Sequence, residues 1–200
     1  MRTAIVLSLL STTAMAADNE VVLTAGSIVT NDAGWNQFSH SQPTTLGIRG
    51  GTALTKRVSA VAEYRFQYQG VTLADSFSLV RTSYTRHLGA AGFKVNAPLH
   101  PQMPLVPYGI VEAAFIGSQM KLDDNRGSRD NPNQLRRGAI TAGGYGALGI
   151  DAIPPQGEFA IGFVGHMELG WLSHGPLDMG ETGVLRPQGF AFRMGGGVRF

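Results

Sequence analysis

The residues of this sequence best suited to catalysis are His166 and Glu168, which are two positions apart. If residues 158–172 form a strand, both side chains point to the same face, because side chains alternate between the two faces of a strand. A base that is held in place by a second polar group is the arrangement that activates a nucleophile. The same two residues also suit a structural network in which the histidine takes no part in chemistry.

No nucleophile accompanies this pair on its face of the strand. Ser173 has the opposite parity, and the adjacent His174 points away from Ser173 in a continued strand. The five histidines are scattered along the sequence, which is not the spacing of a metal site. Because no nucleophile, base and oxyanion donor come together, we predict that the protein is not an enzyme and has neither a cofactor nor a metal ion.

Charged residues recur on strand faces that lie opposite large apolar side chains. In residues 58–69, Tyr64 and Phe66 share one face while Glu63 and Arg65 share the other. An unpaired ion is very costly in a confined apolar space, so we predict a network of ion pairs. Its members are Arg49, Glu63, Arg65, Glu112, His166, Glu168, Arg193 and Arg199. A narrow gated path for ions is the alternative use of the same residues.

Eight segments show this alternation and predict eight antiparallel strands. They span residues 20–30, 44–55, 58–69, 83–96, 105–120, 139–152, 158–172 and 189–200. Their apolar faces have no second layer to cover them, and lipid admits strands only as closed barrels. We therefore predict an all-β fold, an eight-stranded antiparallel up-and-down transmembrane β-barrel. Leu88 and Phe93 have opposite parity, so we expect a bulge or a misplaced boundary in the fourth strand.

The connections alternate in length. Short connections at 56–57, 97–104 and 153–157 separate long polar ones at 31–43, 70–82, 121–138 and 173–188. Outer-membrane barrels have short periplasmic turns and longer extracellular loops. We expect apolar side chains of the first and fourth long loops to be exposed, namely Trp35, Phe38, Leu177 and Met179.

Four arginines of the third long loop and its flanks are candidates for contact with lipopolysaccharide phosphates or an acidic host surface. They are Arg126, Arg129, Arg136 and Arg137. A solvated loop that binds nothing also accounts for them, because exposed charges commonly do no more. The aromatic residues at the strand ends predict two interfacial girdles. The outer girdle contains Tyr68, Trp171 and Phe190, and the inner one contains Phe93, Phe159 and Phe200.

The first residues have the order of a secretory signal, with Arg2 as the positive start, residues 4–10 as the apolar stretch and Ala14-Met15-Ala16 as the cleavage site. We predict a signal peptide at 1–16 and one barrel domain at 17–200 with four long extracellular loops. Loss of Arg2 leaves 15 basic and 14 acidic residues. A chain so near neutrality lacks the basic stripe of a nucleic-acid binder, and without cysteine it has no disulfide framework.

The C-terminal segment alternates as well, with large apolar residues at Phe190, Phe192, Met194, Val198 and Phe200. Together with the signal, the eight strands and the alternating loops, it makes the chain resemble the small outer-membrane barrels of the OmpA/OmpX type. The resemblance implies that this terminal strand is the sorting signal read by the barrel-assembly machinery, although Gly196 interrupts the pattern. It also implies an outer-membrane location in a Gram-negative bacterium after secretion across the inner membrane.

The role that follows from the resemblance is structural support of the envelope or adhesion through the extracellular loops. The expected partners of a monomer of this kind are outer-membrane lipid and lipopolysaccharide, the barrel-assembly machinery and an extracellular surface partner. A narrow gated pore and a lipid A-modifying enzyme are the alternatives. Lipid A deacylases of this class carry a His-x-Ser pattern on a late strand, where this sequence has His166-Met167-Glu168.

Overall fold

The structure is a computed structural model. It describes residues 19–30, 32, 42, 44–74, 79–97, 104–124, 133–153, 161–180, 184–186 and 188–200. The predicted signal peptide, the loop residues Trp35 and Phe38, and Arg126, Arg129 and Phe159 lie outside the described residues. In the described part of the chain, no helix has the length and apolar character needed to cross a membrane.

The strands are β1 (Asn19–Val29), β2 (Thr44–Ala53), β3 (Val58–Ala74), β4 (Leu79–Asn96), β5 (Leu105–Asp124), β6 (Asn133–Ala152), β7 (Gly162–His174), β8 (Leu177–Asp178), β9 (Val184–Leu185) and β10 (Gly189–Arg199). Eight of them form a closed antiparallel barrel in which each strand pairs with its neighbours along the chain, and β10 pairs with β1 to close it. The two short strands, β8 and β9, form a separate hairpin between β7 and β10. The predicted fold class is confirmed.

Four strands are longer than the sequence predicts. β3 and β4 remain paired out to Ala74 and Leu79, and β5 and β6 remain paired out to Asp124 and Asn133. Much of the predicted connections 70–82 and 121–138 is therefore strand. The prediction stopped where the outward face ceases to be apolar, but a strand that leaves the membrane has water on its outer face and needs no apolar residues there.

The fourth strand has no bulge. Its pairing with β3 and with β5 runs without interruption, so the expected bulge or boundary error is wrong. Phe93 points outward and is exposed, while Leu88 points inward and is buried with Ile116 and Leu172. The parities of Leu88 and Phe93 differ because the lumen also contains apolar side chains, and not every large apolar residue faces lipid.

The outward face of the barrel is apolar over a limited height. Val111 and Ile140 are 71% and 85% exposed. On β5 the belt runs from Leu105 to Phe115, which corresponds to about 25 Å for a strand tilted by about 40° and matches the apolar band of outer-membrane barrels. Aromatic side chains are exposed near the outer edge at Tyr68, Trp171 and Phe190, and near the inner edge at Phe93 and Phe200.

Replacing Val111 by arginine tests whether this face contacts lipid. Val111 lies midway along the belt on β5, where an arginine on the lipid side costs about 2–4 kcal/mol of folding free energy. Gln119→Arg, on the same face but beyond the belt, is the matched control and should cost less than about 1 kcal/mol. Reversible urea unfolding in lipid vesicles measures both. Equally small losses of folding free energy in the two variants would mean that Val111 does not face hydrocarbon.

The charged lumen as candidate functional site

The inward face of the barrel brings three arginines and three glutamates into one network. Arg49 and Glu63 are register partners on β2 and β3, and their Nη2 and Oε2 atoms are 3.0 Å apart. The Nη1 atom of Arg49 is also 3.0 Å from Oε2 of Glu168, which lies on β7 across the lumen. Arg49 therefore joins two strands that are not neighbours in the sheet.

The other two arginines complete the network. Arg65 donates from Nε to Glu63 Oε1 at 2.8 Å and from Nη2 to Glu112 Oε2 at 2.7 Å. Arg193 forms ion pairs with Glu63 and with Glu168, its register partner on β7. All six of these side chains are at most 5% exposed. Buried charges of this kind are tolerated because each has an opposite partner.

Two tyrosines fix the position of the Glu168 carboxylate. The hydroxyl of Tyr108 donates to Oε2 at 2.8 Å, and the hydroxyl of Tyr145 donates to Oε1 at 2.9 Å. The ring of Tyr145 also lies 4.2 Å from the guanidinium carbon of Arg65 and 4.4 Å from that of Arg193, which is cation–π distance. The network is thus packed as well as neutral.

His166 and Glu168 are not hydrogen-bonded to each other in the described structure. Both point into the lumen, but the two oxygens of Glu168 accept hydrogen bonds from Arg49, Tyr108 and Tyr145. The buried Nε2 of His166 has no hydrogen-bond partner among the described residues. In the described ranges, no group of three or more His, Cys, Asp or Glu side chains is placed to hold a metal ion.

A second ionic cluster lies nearer the end of the barrel where β1 begins and β10 ends, and the sequence analysis missed it. The Nζ of Lys94 is 2.8 Å from Glu20 Oε1 and 2.6 Å from Asp151 Oδ2. These residues lie on β1, β4 and β6, and the alternation of β1 and β4 was not recognised from the sequence. The parity of Lys94, opposite the outward Phe93, was the signal that could have revealed it. Arg199 lies beside Glu20 at the end of β10, away from the central network.

Above the central network, the lumen holds a cavity of about 10 Å³. Arg65, Gln67, Arg86 and Leu88 are among the residues that line it. A cavity of this size has room for roughly one water molecule. The residues around this cavity include the buried Gln67, Arg86 and Leu88, so side chains occupy most of the lumen at this height.

The β8–β9 hairpin caps the outer end of the lumen. Its residues Leu177 and Leu185, with Met179 between the two strands, are buried against Tyr84 and Met120. The expectation that Leu177 and Met179 are exposed is wrong, since both are 0% exposed. The extended parts of β4 and β5 supply inward apolar side chains above the membrane, and the fourth loop packs onto them.

The comparisons with known proteins address the fold. No protein-family model matches this chain, and no curated protein matches it. Among solved structures, the chain is similar to Ail, the attachment invasion locus protein of Yersinia pestis, in complex with the heparin analogue sucrose octasulfate. That match has 14% sequence identity and a TM-score of 0.58, and covers 93% of this chain and 100% of that chain.

Two further structures are similar over nearly their whole length. A second structure of Ail from Yersinia pestis matches with 13% identity and a TM-score of 0.51, covering 93% of this chain and 100% of that one. Neisserial surface protein A matches with 12% identity and a TM-score of 0.47, covering 92% of this chain and 96% of that one. The chain has the fold of the small eight-stranded outer-membrane barrels. The resemblance stated from the sequence is confirmed at the level of the fold.

Glu63→Gln tests whether the network stabilises the barrel. The substitution removes a carboxylate that Arg49, Arg65 and Arg193 share. Breaking a buried ion pair from one side costs about 3–5 kcal/mol, so the free energy of unfolding in lipid vesicles should fall by that amount. Asp178→Asn, at an exposed carboxylate, should change it by less than about 0.5 kcal/mol. A Glu63→Gln barrel as stable as this control would contradict a stabilising role of the ion pairs.

Proposed function

We propose that this protein is a closed, non-conducting outer-membrane barrel that acts through the part projecting from the cell, as a surface-interaction and envelope protein. The observation that carries the proposal is the combination of a filled lumen with strands that continue well beyond the apolar belt. In a barrel with a filled lumen and an extended outer wall, the side chains that a partner can reach lie at the outer rim.

The filled lumen supports a role other than transport. Ion pairs occupy the middle of the barrel, and the apolar contacts of Leu177 and Met179 close its outer end. Eight-stranded barrels are only wide enough for side chains to fill them, whereas porins with open channels have sixteen or more strands. These features favour a closed barrel over the narrow gated pore.

The extended strands support a role at the cell surface. Beyond Phe115, β5 continues for nine residues to Asp124, paired throughout with β6. At the tilt of a typical barrel, this corresponds to a wall about 20 Å high above the apolar belt. Arg136 and Arg137 are exposed on this outer part. A rigid paired wall holds such side chains in fixed positions, which loops alone do not.

The similarity to Ail supports attachment as the kind of surface role. Ail is an attachment invasion locus protein, and its structure contains a heparin analogue, sucrose octasulfate. We extend to this chain only the proposal that its projecting part takes part in attachment, with heparin as the first probe. The proposal includes secretion after removal of residues 1–16, residence in a Gram-negative outer membrane as a monomer, and no enzymatic activity.

We also propose that β10 is the segment recognised by the barrel-assembly machinery. It presents Phe190, Phe192, Met194 and Phe200 on the outside of the barrel while it pairs with β1 at the closing seam, and Val198 is half-buried near its end. An exposed apolar face on the strand that closes the barrel suits recognition before closure.

Phe200→Ala is expected to reduce the amount of folded protein in the outer membrane at least several-fold, because it removes the terminal aromatic of the proposed signal. Phe163→Ala is the matched control, since Phe163 is also an exposed aromatic and lies near the same end of the barrel. The measurement is the quantity of protein in outer-membrane fractions whose mobility on a denaturing gel changes when the sample is boiled. Equal yields for both variants would argue against the terminal residue as a signal.

The attachment role is tested by shortening the projecting wall. Removing the paired segments 119–124 and 133–138 deletes equal lengths of β5 and β6 in register. Gram-negative cells that display the wild type should be retained on heparin-coated wells and epithelial monolayers several-fold more than cells that display the shortened barrel. Both proteins should show the same heat-dependent gel shift, and the wild type should show no stepwise current in planar bilayers. Stepwise currents of the wild type, or equal retention of the two kinds of cell on both surfaces, would contradict the proposal.

A further inference from the structure

Three cations lie on the outward face of β4, β5 and β6 where these strands leave the apolar belt. They are Arg81, Lys121 and Arg136, of which both arginines are exposed and Lys121 is half-buried. Lys121 is the register partner of Arg136 on β6 and of Ser83 on β4, two residues from Arg81. The three side chains thus share one surface patch, since adjacent strands are only about 4.8 Å apart.

The height of the patch places it at the lipid headgroups. The last large apolar side chains on the outward face are Phe115 on β5 and Ile140 on β6, and Ile140 pairs with Gly117. Arg136 is four residues beyond Ile140, and Lys121 is four residues beyond Gly117. Four residues of a tilted strand rise about 10 Å. The cations therefore lie just above the hydrocarbon, facing sideways into the headgroup layer rather than up into bulk water.

The arrangement of charges calls for an anion. Like charges directly opposite one another on the same face of a sheet are destabilising, and Lys121 and Arg136 are directly opposite. Asp123 is 3.0 Å from the Nζ of Lys121 and is also the register partner of Arg81, so one carboxylate serves the three cations. Half-exposed pairs such as this one hold weakly, so the ammonium group remains available to a stronger anion.

The patch lies on the part of the wall that rises above the other strands. β1, β2, β7 and β10 end close to the outer edge of the apolar belt, where Trp171 and Phe190 are exposed. On β3, Thr72 is the register partner of Arg81 and carries no charge, so the three cations are grouped on β4, β5 and β6.

We propose that Arg81, Lys121 and Arg136 bind the phosphorylated headgroup of an outer-leaflet glycolipid such as lipid A. The planar guanidinium groups suit bidentate contact with phosphate oxygens, and Lys121 adds a compact positive charge. The inference rests on the proposed residence in the outer membrane, where such a headgroup lies beside these side chains. It adds a defined lipid contact to a barrel whose projecting part is proposed to contact surfaces outside the cell.

The test uses the full-length mature protein, folded without lipopolysaccharide in phosphatidylcholine nanodiscs. Native mass spectrometry measures the retention of bisphosphorylated lipid A and of chemically dephosphorylated lipid A. The Lys121→Gln/Arg136→Gln double variant is compared with Lys56→Gln/Arg57→Gln, which removes two adjacent cations from the periplasmic turn. A further arm adds inorganic phosphate in excess as a competitor.

The wild type and the periplasmic control should bind the bisphosphorylated form at least ten-fold more tightly than the dephosphorylated form, and the double variant should lose this preference. Excess inorganic phosphate should displace little lipid. Equal binding of both lipids, equal losses in both variants, or full displacement by inorganic phosphate would overturn the inference. Heat-dependent gel mobility is recorded on the same samples. A failure of lipid binding in a folded barrel affects this inference alone, whereas a wild type without the mobility shift contradicts the proposed function and this inference together.

Discussion

The whole structure depends on the pairing of every backbone polar group around a closed ring of strands, because lipid offers none of those groups a partner. Closure determines whether each side chain faces inward or outward. With a period of two along the strand, one residue faces acyl chains and the next faces a space wide enough only for side chains. The outward series that contains Val111 and Leu148 and the inward series that contains Glu112 and Tyr145 are two consequences of this constraint.

The narrow lumen in turn determines the ionic chemistry. Arg49, Glu63 and Glu168 come from three different strands, yet each has an opposite charge within 3.0 Å because the lumen is narrow enough for side chains from opposite walls to meet. Replacing such pairs with apolar residues is often neutral or stabilising in other proteins, so their value here lies also in specificity. A charged inward face cannot be turned towards lipid, and the ion pairs therefore fix which face of each strand is inside.

Much of this could be predicted from the sequence, because the constraint that shapes the barrel is local. The parity of Glu63, Arg65 and Tyr64 assigns the faces of β3 without any knowledge of its neighbours. The sequence could not reveal that Lys94 meets Glu20 and Asp151, since that contact depends on the register across the lumen. It also could not reveal the buried Leu177, because a loop residue is recognised as part of a core only when the surface that covers it is known.

The most direct test of the account is the accessibility of single spin labels along β7. The chain has no cysteine, so single cysteines can be introduced and labelled at Phe163, Val164, His166, Met167 and Leu169 in protein reconstituted in lipid vesicles. The account predicts high collision rates with oxygen at Phe163, Met167 and Leu169, and low rates with both oxygen and an aqueous nickel reagent at Val164 and His166. High collision rates with oxygen at Val164 and His166, together with high collision rates with the nickel reagent at Phe163, Met167 and Leu169, would contradict the account.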